Sequence, residues 1–411
     1  MDKLKHQLAS ITENSSNNAW NWNNSNWNNN NKNNNNFRAR PFSQELEDKY
    51  QIPLEAVFDA YYDCIKHNKN SYGALEFKIN YWENLIKLWE DLNSGRYEIG
   101  PSICFIVTRP KYREVFAADF RDRIVHHLVM RRIEPIIEHR LIDNTFNCRK
   151  GKGNLKAAQT LQKDINKVVE QYGECYIGKF DLEGFFMTIS KPLLWDILYN
   201  MLQDELKGDD KYFIIKILRK MVFHSPQRNC IRKSPSWLWK KLPKYKSLFD
   251  LDENTGIAIG NLPSQILSNL YLSVFDHIMI NIFPGYGRYC DDFYVLSPLK
   301  EHILLNLNFM RTILSIFRLK LHPKKFYLQH HTKGVPFVGF FVYVNRLYTG
   351  NRCVFNFKEC IKTMDKTQNS VCKVNSYLGF MRHTKSFNIR REIVKDMPLR
   401  CVYPFLKSSL T

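Results

Sequence analysis

Gly287-Arg288-Tyr289-Cys290-Asp291-Asp292-Phe293-Tyr294-Val295 decides how this sequence reads, because it sets two adjacent carboxylates, Asp291 and Asp292, between two apolar runs. Tyr289, Phe293 and Val295 recur with the two-residue period of a strand, so the acidic pair is expected on a tight turn of a hairpin. An acidic dipeptide in a β-turn is also common as plain surface. A second stretch favours chemistry. Tyr176-Ile177-Gly178-Lys179-Phe180-Asp181 reads as an apolar strand ending on Asp181, with Leu182-Glu183-Gly184-Phe185-Phe186 following it. Two strands that each bring an aspartate to one sheet edge can hold two divalent ions about 3.5–4 Å apart, which clamp the attacking and leaving oxygens of a phosphoryl displacement. Oxygen ligands of this kind suit Mg²⁺, with substrate phosphates completing its shell.

The composition points to a polyanionic partner. The 411 residues carry 60 Lys and Arg against 40 Asp and Glu, a formal charge of +20, and 14% are aromatic. Lysine and arginine neutralise phosphates while aromatic faces stack on bases, so nucleic acid is favoured over an anionic membrane. No apolar run reaches transmembrane length and no signal-peptide core opens the chain, so a soluble, cytoplasmic protein is expected. The ten cysteines form no C-x-x-C pair and read as reduced packing residues; His126-His127 and His330-His331 lack cysteine partners at zinc spacing.

Along the chain, residues 1–40 form an asparagine-rich segment punctuated by Trp20, Trp22 and Trp27, a composition that builds no core. Helical spacing runs from Leu54 to Leu92. An extended pair is expected over Tyr97 to Val107, then helices over Asp119–His139, Lys156–Tyr172 and Leu193–Leu206. Ser225 to Asp250 reads as a loop rich in Pro, Lys and Trp, and Ser264 to Ile282 as one apolar helix. Two short strands are expected over Gly334 to Tyr348, and a helical basic tail from Phe357 onward.

The order of these motifs resembles that of reverse transcriptases. The Asp181 strand, the helix start Gly260-Asn261-Leu262-Pro263-Ser264-Gln265 and the Tyr289-Cys290-Asp291-Asp292 hairpin carry the likeness. Upstream, Arg109-Pro110-Lys111-Tyr112-Arg113-Glu114-Val115 and Asp119 to His127 are similar to the fingers segment. Downstream, Leu321-His322-Pro323-Lys324-Lys325, Val335 to Phe340 and Tyr377 to His383 resemble the last palm motifs and the thumb start. The resemblance implies an α+β right-hand polymerase: N-terminal helices and fingers over residues 41–175, palm over 176–350 with a basic insertion at 225–256, and thumb over 351–411. It implies an RNA-directed DNA polymerase with Asp181, Asp291 and Asp292 as catalytic metal ligands and the Leu182 backbone as a further one. Two Mg²⁺ ions are implied, with Mn²⁺ as a substitute. Template RNA, a DNA or cDNA primer and deoxynucleotides follow as substrates.

Within that superfamily, Gly184 to Ile189, Lys246-Ser247-Leu248-Phe249 and Ile259 to Gln265 are similar to the reverse transcriptases of diversity-generating retroelements. Most relatives carry Q-G-x-x-x-S-P at the third string, so Ile259 replaces a glutamine that lies against the incoming nucleotide, and Gln265 replaces a proline. Relaxed fidelity opposite template adenines and an accessory basic helical-bundle protein are implied. Phe186, rather than the core residue Phe185, falls where the superfamily places a ring that blocks a ribose 2′-hydroxyl. Lys111 and Arg113 are candidates for the triphosphate, with Arg121, Arg123 and Lys152 as competitors. Gly260 and Gln265 border the same pocket. Lys324 and Lys325 sit either near the leaving pyrophosphate or on a solvated basic turn. Residues 1–40 either form an RNA-stacking tail or overlap, as coding sequence, a template repeat. Retron, group-II-intron and phage-defence polymerases of this fold stay as alternatives.

Overall fold

A computed structural model describes residues 51–66, 69–109, 111–363 and 368–395, and the asparagine-rich segment at 1–40 lies outside them. The described strands are β1 Ser102–Val107, β2 Arg113–Ala117, β3 Tyr176–Asp181, β4 Cys230–Arg232, β5 Gly285–Tyr289, β6 Asp292–Ser297, β7 Tyr327–His330, β8 Val335–Phe337, β9 Phe340–Val342 and β10 Leu347–Thr349. Helices take most of the remainder, so the expected α+β class holds. The chain divides into two compact units. The first comprises the described residues of Met1–Ile142, Leu182–Phe275 and Thr312–Lys320, the second those of Asp143–Asp181, Asp276–Arg311 and Leu321–Thr411.

In the first unit, β1 pairs antiparallel with β2 and parallel with β4. The extended pair expected over Tyr97 to Val107 is corrected here, because only Ser102–Val107 is strand and its hairpin partner is Arg113–Ala117. The Asp122 carboxylate draws residues 97–100 out of the sheet: it accepts the Tyr97 hydroxyl at 2.7 Å and the Gly100 N–H at 2.9 Å. Burial pushes the Asp122 carboxyl up to about 6 against those two hydrogen bonds. Helix Phe120–Arg140 starts where the sequence placed it, capped by the Asp119 side chain accepting the Arg121 N–H. Its buried stripe of Ile124, Val125, Leu128, Val129, Ile133 and Ile137 follows the helical period.

Two further expectations change. The expected loop at Ser225–Asp250 contains strand β4, helix Ser236–Lys240 and three short 3₁₀ turns. The expected single helix over Ser264–Ile282 is two, Leu262–Tyr271 and Ser273–Ile282, broken at Leu272 where ψ rises to 0°. Pro263 opens the first of them, where its missing N–H costs nothing.

The second unit is built on an antiparallel sheet in the order β5-β6-β3-β7, with a small sheet β10-β9-β8 beside it. Helix Asn154–Tyr172 lays Ala157, Ala158, Leu161, Ile165 and Val168 onto a core with Ile177, Tyr294, Leu296, Phe337 and Phe340. Full burial of each large apolar side chain contributes roughly 1.5–3 kcal/mol. That helix ends on Gly173, whose left-handed φ of 81° lets its N–H reach the Val169 carbonyl. Gly334 to Tyr348 holds three short strands, one more than expected, and helices Asn351–Lys362, Gln368–Met381 and Phe387–Val394 follow. No helix among the described residues is long and apolar enough to cross a membrane, and none of the described cysteines forms a disulfide.

Candidate active site

Two of the three aspartates named from the sequence, Asp181 and Asp292, are brought together in the second unit, and Asp291 precedes Asp292 in the chain. β3 ends on Asp181 and β6 begins on Asp292, and the two are direct partners in the antiparallel register, hence on one face of the sheet. Asp291 stands at the turn between β5 and β6. Below this edge Phe180 stacks on Phe293 with centroids 5.0 Å apart and on Phe326 at 4.9 Å, so the opposite face is apolar and closed.

The turn itself is forced. Cys290 adopts φ 60°, a left-handed conformation that a side-chain-bearing residue avoids without support. Its N–H donates to the Asn147 side-chain oxygen at 2.8 Å, and its carbonyl accepts from the Arg288 guanidinium at 3.1 Å. Arg288 is fully buried and spans Asp276 with two bonds, Nε to Oδ1 at 2.7 Å and Nη2 to Oδ2 at 2.5 Å. Asp276 also accepts from the Tyr286 hydroxyl at 2.5 Å and from Thr145 at 3.2 Å. Both charges of this pair are satisfied, as burial requires. Gly287 is needed one step earlier: a Cβ there would lie 2.6 Å from the hydroxyl of Tyr294, its cross-strand partner. The Tyr294 hydroxyl donates to Asp164 at 2.7 Å, and burial pushes the Asp164 carboxyl up to about 6.

Two lysines attend the carboxylates. Lys325 lies 2.5 Å from Asp181, and Lys179 lies 3.5 Å from Asp292. Burial pushes the Asp292 carboxyl above the ordinary range; Lys179 opposes that shift and the Asp181 charge adds to it. Positive charge is thus already drawn to the pair, in the role a metal cation would take. Among the described residues no three His, Cys, Asp or Glu side chains converge into a preformed cage. The donors present are all carboxylate oxygens, and they fit a hard ion such as Mg²⁺ that keeps waters and takes further oxygens from substrate phosphates. The Cys290 thiol, pushed up by burial, is no competing soft ligand. Lys324 is exposed on the turn after His322, so it is Lys325 that meets a candidate ligand.

The other nucleotide candidates belong to the first unit. Lys111 and Arg113 are exposed on the β1–β2 hairpin. Their competitors have structural work: Arg121 pairs with Asp91 at 2.6 Å, and Arg123 donates to the Ala118 carbonyl at 2.9 Å. In the second unit, Lys152 pairs with Asp143. Phe185 is buried and Phe186 half-buried. The Phe186 carbonyl accepts the Ile257 N–H at 2.9 Å, and the Ile259 carbonyl accepts the Phe116 N–H at 2.9 Å, which brings Phe186, Ile259 and Gly260 into one neighbourhood. Gly260 has φ 117°, and a Cβ there would meet Val115 at 2.7 Å and the Phe116 carbonyl at 2.9 Å. Gln265 is half-buried in the first turn of helix Leu262–Tyr271, and Leu182 is buried.

Residues 107–342 match the family model described as reverse transcriptase (RNA-dependent DNA polymerase). No protein among the curated sequences matches the chain. Solved structures that are similar at low identity include three of telomerases. The telomerase of Candida albicans, in complex with a fragment of telomeric RNA, is 12% identical over 82% of this chain and 62% of that one, with a TM-score of 0.43. The apo telomerase of Candida tropicalis is 11% identical over 76% and 57%, at 0.48, and its form truncated from the C-terminal domain is 10% identical over 61% and 55%, at 0.44. The chain therefore spans between 55% and 62% of the length of these proteins, and the likeness is too distant to argue from.

The buried pair yields a test of the turn. Arg288→Met leaves the Asp276 charge unpaired and should destabilise the protein by about 3–5 kcal/mol. Adding Asp276→Leu should recover most of that loss. Thermal melting of the single and double variants checks the stability; faster hydrogen exchange of the Cys290 amide in the stable double variant checks that the pair holds the turn.

Proposed function

Because the chain belongs to the reverse transcriptase (RNA-dependent DNA polymerase) family, we propose that it polymerises DNA on an RNA template. The observation that carries this reading is the register pair Asp181 and Asp292, with Asp291 at the adjoining turn, inside the matched region. The family uses divalent metal ions. Asp181, Asp291 and Asp292 would hold them, with the Leu182 backbone as a further donor. When bound, they supply activation of a primer 3′-hydroxyl and neutralise charge on the transferring phosphate. Two Mg²⁺ ions, replaceable by Mn²⁺, are the proposed complement.

The chain's own side chains supply the rest. Lys111 and Arg113 grip the triphosphate of the incoming deoxynucleotide, Arg113 through paired hydrogen bonds. Phe186 stands against the ribose and disfavours a 2′-hydroxyl. Gly260 leaves its backbone open beside the new base pair. Lys325 balances charge beside Asp181 and Lys324 lies one residue before it, in a position suited to a departing pyrophosphate. In this reading residues 41–175 serve as N-terminal helices and fingers, 176–350 as palm and 351–411 as thumb.

The finer reading is a diversity-generating retroelement, in which a template-repeat RNA is copied with errors at adenines. Ile259 supports it, since an apolar side chain removes a polar contact from the nascent base pair, and discrimination between pairs depends on such contacts. Ile259 packs on Cys104, Phe116, Met187 and Leu248, an apolar setting in which glutamine's usual polar contact has no counterpart. A basic helical-bundle accessory protein and a cytoplasmic location complete this proposal.

Two outcomes are expected. Asp181→Asn and Asp291→Asn should each lower primer extension on an RNA template by about a hundred- to a thousandfold, because a lost electrostatic partner of the transition state costs on the order of 10²–10³. RNA affinity should persist; normal extension by Asp291→Asn would overturn the site. Ile259→Gln should restore one hydrogen bond worth roughly 0.5–1.5 kcal/mol and so reduce misincorporation opposite adenine several-fold. Sequencing the cDNA made by parent and variant on one template checks this, and equal error spectra would remove Ile259 from the account of fidelity.

A further inference from the structure

The insertion after β4 presents a surface that the polymerisation chemistry does not use. Residues 231–246 contain six cations, Arg232, Lys233, Lys240, Lys241, Lys244 and Lys246, and no acidic residue. Two aromatic rings stand open among them, Trp237 at 54% exposure and Tyr245 at 55%. Each has an ammonium over its face: Lys241 lies 4.7 Å from the Trp237 centroid and Lys246 5.3 Å from that of Tyr245. Exposed tryptophan and tyrosine lose favourable burial, so a fold that displays both beside lysines holds a surface suited to an anionic partner with flat faces.

This surface is rigidly mounted. β4 runs parallel to β1, the Lys233 N–H reaches the Cys104 carbonyl at 2.9 Å, and the Ser234 hydroxyl accepts the Ile106 N–H at 2.8 Å. The Arg232 guanidinium lies 3.7 Å from the Phe249 ring centroid and 5.1 Å from that of Trp239. At its far end the buried Glu114 carboxylate accepts the Ser247 hydroxyl at 2.7 Å and the Leu248 N–H at 2.9 Å. Leu248, Trp239 and Phe249 pack with Phe116, Met187 and Ile259 in one small core. The Tyr245 carbonyl lies 3.8 Å from where a Cβ would stand on Gly184, in the turn that leads to Phe186. The open rings are therefore fixed to the same framework as Phe186 and Ile259.

We propose that residues 231–246 form a stacking platform for an unpaired polynucleotide strand, with Trp237 and Tyr245 taking bases and Lys233, Lys240, Lys241 and Lys244 neutralising phosphates. The proposal deepens the polymerase reading and rests on it. An unpaired strand is the occupant because only unstacked bases offer faces to these rings, while sequence-tolerant stacking combined with backbone charge is how such strands are held. An anionic membrane fits less well: helix Ser236–Lys240 has five residues and buries no residue, so it offers no continuous apolar face to insert.

The test measures binding of the full chain to a fluorescently labelled 12-nucleotide single-stranded RNA by anisotropy, across a salt series, alongside vesicles containing phosphatidylserine. Trp237→Ala should weaken RNA binding about tenfold, Tyr245→Ala similarly, and Trp237→Phe should retain most of the affinity, since the ring is what stacks. Lys240→Gln, Lys241→Gln and Lys244→Gln together should reduce the slope of log affinity against log salt by about 2, at about 0.7 per phosphate contact on a single strand. Unchanged affinity and slope in variants that melt like the parent would overturn the platform. So would loss of vesicle binding with RNA binding intact. Primer extension by the parent separates the two readings: a polymerising parent whose variants bind normally removes the platform alone, whereas an inactive parent whose variants lose RNA binding removes the polymerase reading alone.

Discussion

The buried ion pair between Arg288 and Asp276 is the constraint on which the candidate site depends. Removing two charges from water costs several kcal/mol per ion, and here that cost is met by two guanidinium–carboxylate bonds plus the Tyr286 and Thr145 hydroxyls. A pair of apolar residues could fill the same volume at less electrostatic cost. What they could not supply is the bond from the Arg288 guanidinium to the Cys290 carbonyl, which together with Asn147 holds a left-handed cysteine at the turn. That conformation is what places Asp291 at the turn and starts β6 on Asp292, opposite Asp181. Shifting the register by one residue would move Asp292 to the apolar face occupied by Phe180 and Phe293, so the position of the carboxylate depends on the turn.

The first unit shows the same logic with glycine and glutamate in place of an ion pair. Gly260 lets its backbone approach Phe116 more closely than any side chain permits, and the Phe116 N–H in turn fixes the Ile259 carbonyl. Glu114, projecting from β2 into the interior, gathers Ser247 and Leu248 and so closes the basic insertion onto the same hairpin that carries Lys111 and Arg113. A carboxylate held by two donors in a buried place fixes geometry more tightly than apolar contact alone, because each bond has a direction.

Much of this was legible in the sequence, for identifiable reasons. The β3 strand ends on Asp181 as read, since an alternating apolar run that stops at a carboxylate has few other solutions, and the helical spacing read over Asp119–His139 matches helix Phe120–Arg140. The pairing of Asp181 with Asp292 was legible because each stands at the end of an apolar run. Failures came where long-range contacts overrode local pattern. Tyr97 to Pro101 looks extended but is held by Asp122, 25 positions from Tyr97. The apolar run from Ser264 to Ile282 hides a break at Leu272 that hydrophobicity does not report. Helix Lys211–Phe223 went unread despite its apolar spacing. Lys179, Asp276 and Arg288 escaped notice as functional supports, although a lone aspartate inside the apolar string Ser273-Val274-Phe275-Asp276-His277-Ile278 is the signal of a buried partner. The ion pair of Lys325 with Asp181 spans 144 positions, and no local pattern could have chosen it over Lys324.

The account rests on Asp181, Asp291 and Asp292 forming one divalent-cation site that the buried pair holds in shape. Titration of Mn²⁺, followed by electron paramagnetic resonance in the presence of a deoxynucleoside triphosphate, reads that site without requiring turnover. Saturable binding by the parent, lost in Asp181→Asn and in Asp292→Asn while both variants melt like the parent, is the predicted result. Identical Mn²⁺ titrations for the parent and both variants would contradict it.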